Sequence, residues 1–383
     1  LEGKDKNGLS PMNLEMITAN SSNTLNSLNY SRKHKALIYC SSNQVHIYDP
    51  IKARTCTTLK GHSLNSRVNL CQWVEGAESP MIISVGSDGK LIIWSCNESV
   101  NVFNPEKWSQ IYEQTSEGKE SINTFDSLYI NEDELYVAYF TSSSVASFFH
   151  FSLTNTEDSK IKIVSTFLTS TKTKWLIVSL TLAVLNESNL LVLYGGYDSL
   201  ITVNSLQRLG KDKKERESTL CNHLVLRGHT NSIREISFND KLNPQMIGTC
   251  SQDTYIRLWS LKKLTPNEVL IFGSRKKDNI TVFDEYKSQT SFVFSLNENE
   301  MYHILLESVL SDHEEPVSSV KFFQREEKES QKTFILTSSF DFTVGLWEYI
   351  NGIWQKTVTL GEMSGNKNSF YGAVFTGDEN HLI

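Results

Sequence analysis

Three histidines in this chain are each followed, at a distance, by a hydroxyl residue, an aspartate and a tryptophan. These residue types could hold a metal, move a proton or close a hydrogen-bond network. His62 precedes Ser84, Asp88 and Trp94; His229 precedes Thr249, Asp253 and Trp259; His313 precedes Thr337, Asp341 and Trp347. In all three sets the hydroxyl lies four residues before the aspartate and the tryptophan six after it. The first two histidines follow a glycine, Gly61 and Gly228, and the third follows Asp312.

The spacing has a structural use. An aspartate in the turn between two strands, a tryptophan on the next strand, a hydroxyl on the one before and a histidine from the preceding loop can satisfy one another in a buried network. Such a network pins a small sheet in register. A buried histidine with partners at hand needs no further role, so His62, His229 and His313 read as staples rather than bases or ligands, and Asp88, Asp253 and Asp341 likewise.

Short runs of Val, Ile, Leu, Phe, Tyr and Thr recur between Gly, Asn, Asp and Ser, and helical periodicity is nearly absent, so the chain is expected to be all-β. Repeats that open on Gly-His and end on an Asp and Trp signature mark the blades of a WD40 β-propeller. Weaker copies fill the gaps. Leu37 to Tyr48 puts Tyr48 where the Trp would stand, Asp198 has Asn204 six residues later, and Leu128 to Phe151 supplies strand pairs without a network. Six blades are expected, at about 13–58, 59–103, 104–156, 158–222, 223–300 and 301–360. Gly361 to Ser364 and Tyr371 to Phe375 would open an incomplete seventh, making a seven-bladed ring. Residues 1–12 are set aside as a leader, with the propeller over 13–383.

Composition narrows the functional classes. The charge of −7 gives no general attraction to phosphate backbones, so direct nucleic-acid binding is not expected. The six cysteines, Cys40, Cys56, Cys71, Cys96, Cys221 and Cys250, form no CxxC pair, which speaks against a zinc site or disulfide framework and for a reducing compartment. The apolar stretch from Trp175 to Tyr194 is broken by Asn186 to Asn189 and reads as two strands around a turn, so no membrane span is expected. Phosphate loops, GxSxG elbows and HExxH pairs are absent from the sequence, and no enzyme activity, cofactor or metal is expected. The charged runs Gly210 to Glu217, Arg275 to Asp278 and Arg325 to Lys332 read as solvated loops.

Several stretches, in order, resemble the family of the second Elongator subunit: Asp49-Pro50-Ile51, Thr58 to His62, Ser251 to Trp259, and Leu360 to Ser364. The long excursion between Trp259 and His313 is similar to that family's as well. The resemblance implies two tandem seven-bladed propellers, of which this chain is most of the first. It also implies a non-catalytic scaffold that holds the large first subunit and the catalytic third subunit in a complex modifying wobble uridines of tRNA. Histone acetylation and transcript elongation are further roles attributed to that complex. A cytoplasmic location is implied, with a nuclear share open.

Propellers commonly bind partners on the face where the first strand of each blade begins. The blade pattern places Arg67, Asn69 and Ser87, then Ser232, Arg234 and Gln252, then Pro316, Ser318 and Phe340 on that face as candidate partner contacts. Two other readings stand beside the scaffold. One is an unrelated WD40 adaptor binding short peptides in signalling, chromatin or transcription elongation; the other is direct tRNA binding, which the net charge opposes.

Overall fold

The computed structural model describes residues 24–98, 101–131, 134–155, 161–209, 218–268, 282–283, 289–297, 300–327, 330–361 and 369–375. Within them the β-rich composition resolves into six antiparallel sheets. The first comprises β1 (Leu28–Ser31), β2 (Ala36–Ser41), β3 (Gln44–Asp49) and β4 (Arg54–Lys60). The second comprises β5 (Val68–Trp73), β6 (Met81–Gly86), β7 (Lys90–Cys96) and β8 (Trp108–Thr115). The third holds β9 (Ile122–Asn131), β10 (Glu134–Thr141), β11 (Val145–Asn155) and β12 (Ile161–Lys172). The fourth holds β13 (Ile177–Val184), β14 (Asn189–Gly196), β15 (Ile201–Gln207) and β16 (Leu220–Leu226).

The fifth sheet is larger. It contains β17 (Ile233–Phe238), β18 (Met246–Ser251), β19 (Ile256–Lys263), β20 (Val282–Phe283), β21 (Gln289–Asn297) and β22 (Glu300–Leu310), with β22 beside β19 and the other two added outside it. The sixth contains β23 (Val317–Glu327), β24 (Ser330–Ser339), β25 (Val344–Ile350) and β26 (Ile353–Leu360).

In five of the six sheets each strand pairs with the next in sequence, as short turns between β-branched runs require, whereas in the fifth β19 pairs with β22. The middle strands are buried on both faces where neighbouring sheets pack together. All six residues of β6 are buried, and so are seven of the eight in β14. One apolar cluster joins the second and third sheets through Ile83, Leu91, Leu135 and Phe151, and another joins the fourth and fifth through Leu193, Ile233, Trp259 and Ile304. Each such side chain contributes about 1.5–3 kcal/mol by leaving water. The architecture is an all-β propeller of the WD40 type.

Two expectations are corrected. The described residues contain six blades, and no seventh sheet forms. Residues 369–375 instead run extended between the sixth and first sheets. Phe370 N–H donates to Ser339 O at 3.3 Å, and Asn26 N–H donates to Tyr371 O at 3.1 Å. Ala373 packs on Leu336 and Val344, while Val374 packs on Tyr30, Leu37 and Tyr48. A single extended segment can fill this gap, but a sheet needs partner strands. Residues 362–364 of the expected seventh-blade opening lie outside the described residues.

The blade limits also shift by one strand. β8 and β12 are the outer strands of the second and third sheets and β22 is the fourth strand of the fifth, whereas the sequence reading assigned them to the blades that follow. The cause is that the histidine loop lies between an outer strand and the next inner one, so a repeat counted around the histidine straddles two sheets. The leader, the runs 210–217 and 275–278 and part of 325–332 lie outside the described residues. No helix among the described residues is long and apolar enough to cross a membrane.

Candidate functional site

The three histidine sets come together with one geometry. In the second sheet, His62 Nδ1 lies 3.0 Å from Asp88 Oδ1 and Nε2 lies 2.9 Å from Ser84 Oγ, which accepts Trp94 Nε1–H at 3.0 Å. In the fifth, His229 Nδ1 is 2.9 Å from Asp253 Oδ2, Nε2 is 2.9 Å from Thr249 Oγ1, and Trp259 Nε1–H reaches that oxygen at 3.2 Å. In the sixth, the corresponding distances from His313 are 2.7 Å to Asp341 Oδ2 and 2.8 Å to Thr337 Oγ1, with Trp347 Nε1–H at 3.0 Å from the same hydroxyl.

With a neutral imidazole, one direction satisfies every group. The indole N–H donates to the hydroxyl oxygen, the hydroxyl O–H donates to Nε2, and Nδ1–H donates to the carboxylate. The carboxylate also accepts the backbone N–H of the residue after the histidine, from Ser63, Thr230 and Glu314. Electrostatics agree with a neutral imidazole on an ionised carboxylate. Burial pulls all three histidines below their ordinary value, although the aspartates pull the other way. Burial would raise Asp88, Asp253 and Asp341, yet the hydrogen bonds from backbone, hydroxyl and imidazole groups hold them below the usual carboxylate value. Both ring nitrogens are engaged and the histidine side chains are at most 1% exposed, so no position remains for a substrate proton or a metal ion. Among the described residues no group of histidine, cysteine and acidic side chains could hold a metal.

The local sequence makes room for this. A side chain at Gly86 would stand 2.6 Å from His62 Nδ1, so a larger residue would displace the ring. The residue after the aspartate takes a left-handed conformation in all three turns: Gly89 at φ 73°, Thr254 at φ 73° and Phe342 at φ 67°. The matching turns of the other three sheets do the same with Ser42, Ser144 and Ser199. The turn is thus common to six blades and the network to three. In the fourth blade Asp198 only caps its own turn, accepting Leu200 N–H at 3.2 Å, and buried Asn204 donates to Val192 O at 3.4 Å.

The candidate partner residues divide. Arg67 is exposed, and Ser87, Arg234, Gln252, Pro316 and Phe340 are part-exposed at the expected end of the ring. Asn69, Ser232 and Ser318 are corrected: they are 1–3% exposed, too buried to meet a partner. Asn69 Nδ2–H donates to Ile122 O of the third sheet at 2.7 Å, and Ser318 Oγ–H donates to Phe370 O of the extended segment at 2.7 Å. All three lie at or beside the start of an inner strand. All six cysteines are free thiols.

The chain also carries a polar hub that the repeat signature does not mark. Asp126, on β9, is buried and accepts Gln72 Nε2–H at 3.0 Å, Thr181 Oγ1–H at 3.1 Å and Leu182 N–H at 2.8 Å, and it pairs with Lys241. These four partners come from β5, β13 and the loop after β17, so one carboxylate ties together the inner strands of neighbouring blades. A second tie joins the fifth and sixth blades, where buried Glu235 pairs with Lys321 and accepts Val320 N–H at 2.7 Å. Burial pushes the Glu235 carboxyl up, with Lys321 opposing. The available signal was an acid within a short strand bounded by apolar residues, in Ile122 to Leu128 and Ile233 to Phe238. A concavity of about 810 Å³ opens on the opposite face beside Leu185, Lys262, Lys263 and Tyr302.

Comparison with known proteins agrees with this architecture. The family described as WD domain, G-beta repeat matches residues 221–260, which end on the Thr249, Asp253 and Trp259 set. The chain is similar to Elongator complex protein 2 of Mus musculus, at 26% identity over 91% of this chain and 39% of the relative. It is likewise similar to that of Homo sapiens, at 26% identity over 93% of this chain and 41% of the relative. It therefore spans about two-fifths of these relatives' length. Among solved structures, Raptor of Chaetomium thermophilum shares the fold with a TM-score of 0.56 at 10% identity, covering 93% of this chain and 26% of that one.

Proposed function

We propose that this chain, a WD-repeat propeller and a relative of Elongator complex protein 2, serves as a non-catalytic scaffold within an Elongator-type assembly. In this reading it holds the large first subunit and the catalytic third subunit together for modification of tRNA wobble uridines. The observation that carries the reading is the similarity, at 26% identity over more than nine-tenths of the chain, to relatives bearing that name. The site geometry supports the non-catalytic part, because the histidines that could do chemistry are spent on closing the blades.

Two finer points belong to the same proposal. The chain is the first of two propellers in the full protein. The protein works in the cytoplasm, with a nuclear share open. The test is genetic and chemical: removing the protein from its cell should abolish the wobble-uridine modification, and returning the full protein should restore it. Unchanged modification after removal contradicts the proposal.

A further inference from the structure

One arc of the upper face stands out by its chemistry. Trp175 is 49% exposed, Tyr197 56% and Tyr255 40%, although large aromatic rings are costly to leave in water. The three belong to adjoining loops. Tyr197 N–H donates to Leu176 O at 3.2 Å, which joins the turn of the fourth blade to the loop carrying Trp175. Gly195, beside that turn, packs on Ile233, where a side chain would meet Ile233 Cγ1 at 3.1 Å. Next along the chain, Arg234 Nη2–H donates to Gln252 Oε1 at 3.1 Å, in the turn that carries Tyr255.

The arc also carries positive charge that no carboxylate answers. Lys174, Arg227 and Arg234 have no carboxylate partner among the described residues: Lys174 lies over the Trp175 ring at 5.3 Å, and Arg234 Nε is buried without a hydrogen-bond partner. Asp198, beside Tyr197, caps its own turn. The next loop around the ring is acidic, exposing Asp312, Glu314 and Glu315.

We propose that the upper loops of the fourth and fifth blades dock an acidic, extended segment of a partner protein. Trp175, Tyr197 and Tyr255 supply apolar contact, and Lys174, Arg227 and Arg234 pair with the segment's carboxylates. The acidic loop of the sixth blade repels the same segment and so fixes its direction. Exposed Trp, Tyr and Arg are the types that concentrate binding energy in protein interfaces. A phosphate backbone is the less favoured occupant, because the chain carries −7 overall and the adjoining loop is acidic. The proposal deepens the scaffold reading and rests on it for the occupant being a protein.

The test uses the whole 383-residue chain. Fluorescent peptide pools rich in Asp and Glu are titrated at physiological salt, beside the same pools carrying Asn and Gln and a single-stranded RNA. The acidic pool is expected to bind about tenfold more tightly than its amide counterpart, the gain of one or two charge-assisted contacts. Arg234→Glu and Tyr197→Ala should each weaken it about fivefold or more, while Ile353→Ala, at the opposite end of the sixth blade, leaves it unchanged. Equal binding of the two pools, tighter binding of the RNA, or acidic binding that survives Arg234→Glu overturns the proposal. Circular dichroism of each variant separates lost binding from lost folding, and Tyr197→Phe, which keeps the ring, should retain binding. Co-purification with Elongator subunits is measured separately, so the docking surface and the scaffold reading fail independently.

Discussion

His229 donates from Nδ1 to Asp253 Oδ2 at 2.9 Å, and both side chains are almost wholly shielded from solvent. Around this bond the fifth blade arranges Thr249 and Trp259, with each polar atom answering one other. Histidine to Ala at position 229 leaves the Asp253 carboxylate with only its backbone donors and takes from the Thr249 hydroxyl its acceptor in the ring, leaving Arg257 O at 3.3 Å. The expected cost is about 1–3 kcal/mol, the penalty for unpaired buried polar groups. It should be read as a lower urea midpoint, with the baseline secondary structure retained.

Acid should destabilise the fold early. Each of the eight histidines in the described residues is held below its ordinary value of 6.5, with burial the first cause. A lowered imidazole means the unfolded chain binds protons more readily than the folded one, so stability is complete above about pH 6.5 and falls as pH drops below it. Glu235 runs the other way: its carboxyl is raised, so its contribution is complete below the ordinary carboxylate value and declines as pH rises. Eight imidazoles outweigh it. Urea midpoints recorded between pH 8 and pH 5 should decrease toward acid; a flat or rising series contradicts the neutral networks.

Asp126→Ala tests the hub. It removes the acceptor for Gln72, Thr181, Leu182 N–H and Lys241 at once. The expected loss is about 3 kcal/mol, the lower end for breaking a buried pair, since Lys241 keeps some contact with water. Hydrogen exchange should show faster opening of β9 and β13, while the β24–β25 pairing stays protected.

Thr254 bears backbone strain. It is β-branched and held at φ 73°, where glycine serves in the matching turn of the second blade. Thr254→Gly should raise stability by up to about 1 kcal/mol, the relief of left-handed strain less the added freedom of the unfolded chain. A higher urea midpoint checks it. Phe342 offers the same experiment in the sixth blade, but its side chain lies near the upper face.

The spacing of His, hydroxyl, Asp and Trp was enough to locate three blades and their internal bonds, because a closed network needs fixed offsets along paired strands. The turn residues made the remaining blades visible only in outline. Asp198 marks the turn that Ser199 completes, whereas nothing beside Ser144 announces its left-handed conformation. The blade limits were displaced because sequence repeats follow the histidine loop, whereas sheets follow hydrogen bonding between strands. Asp126 and Lys241 escaped notice for a different reason. They meet through the ring across 115 residues of sequence, and no short-range pattern records a contact of that range. Asn69, Ser232 and Ser318 show the limit of a face inferred by alignment, since all three are buried.

Quantitative affinity purification tests the scaffold directly. The full protein, tagged and expressed at its natural level, should bring down the large first and the catalytic third Elongator subunits in near-equal amounts, and His229→Ala should reduce both together as the fold weakens. A purification that recovers the intact, folded protein with neither subunit would contradict the account.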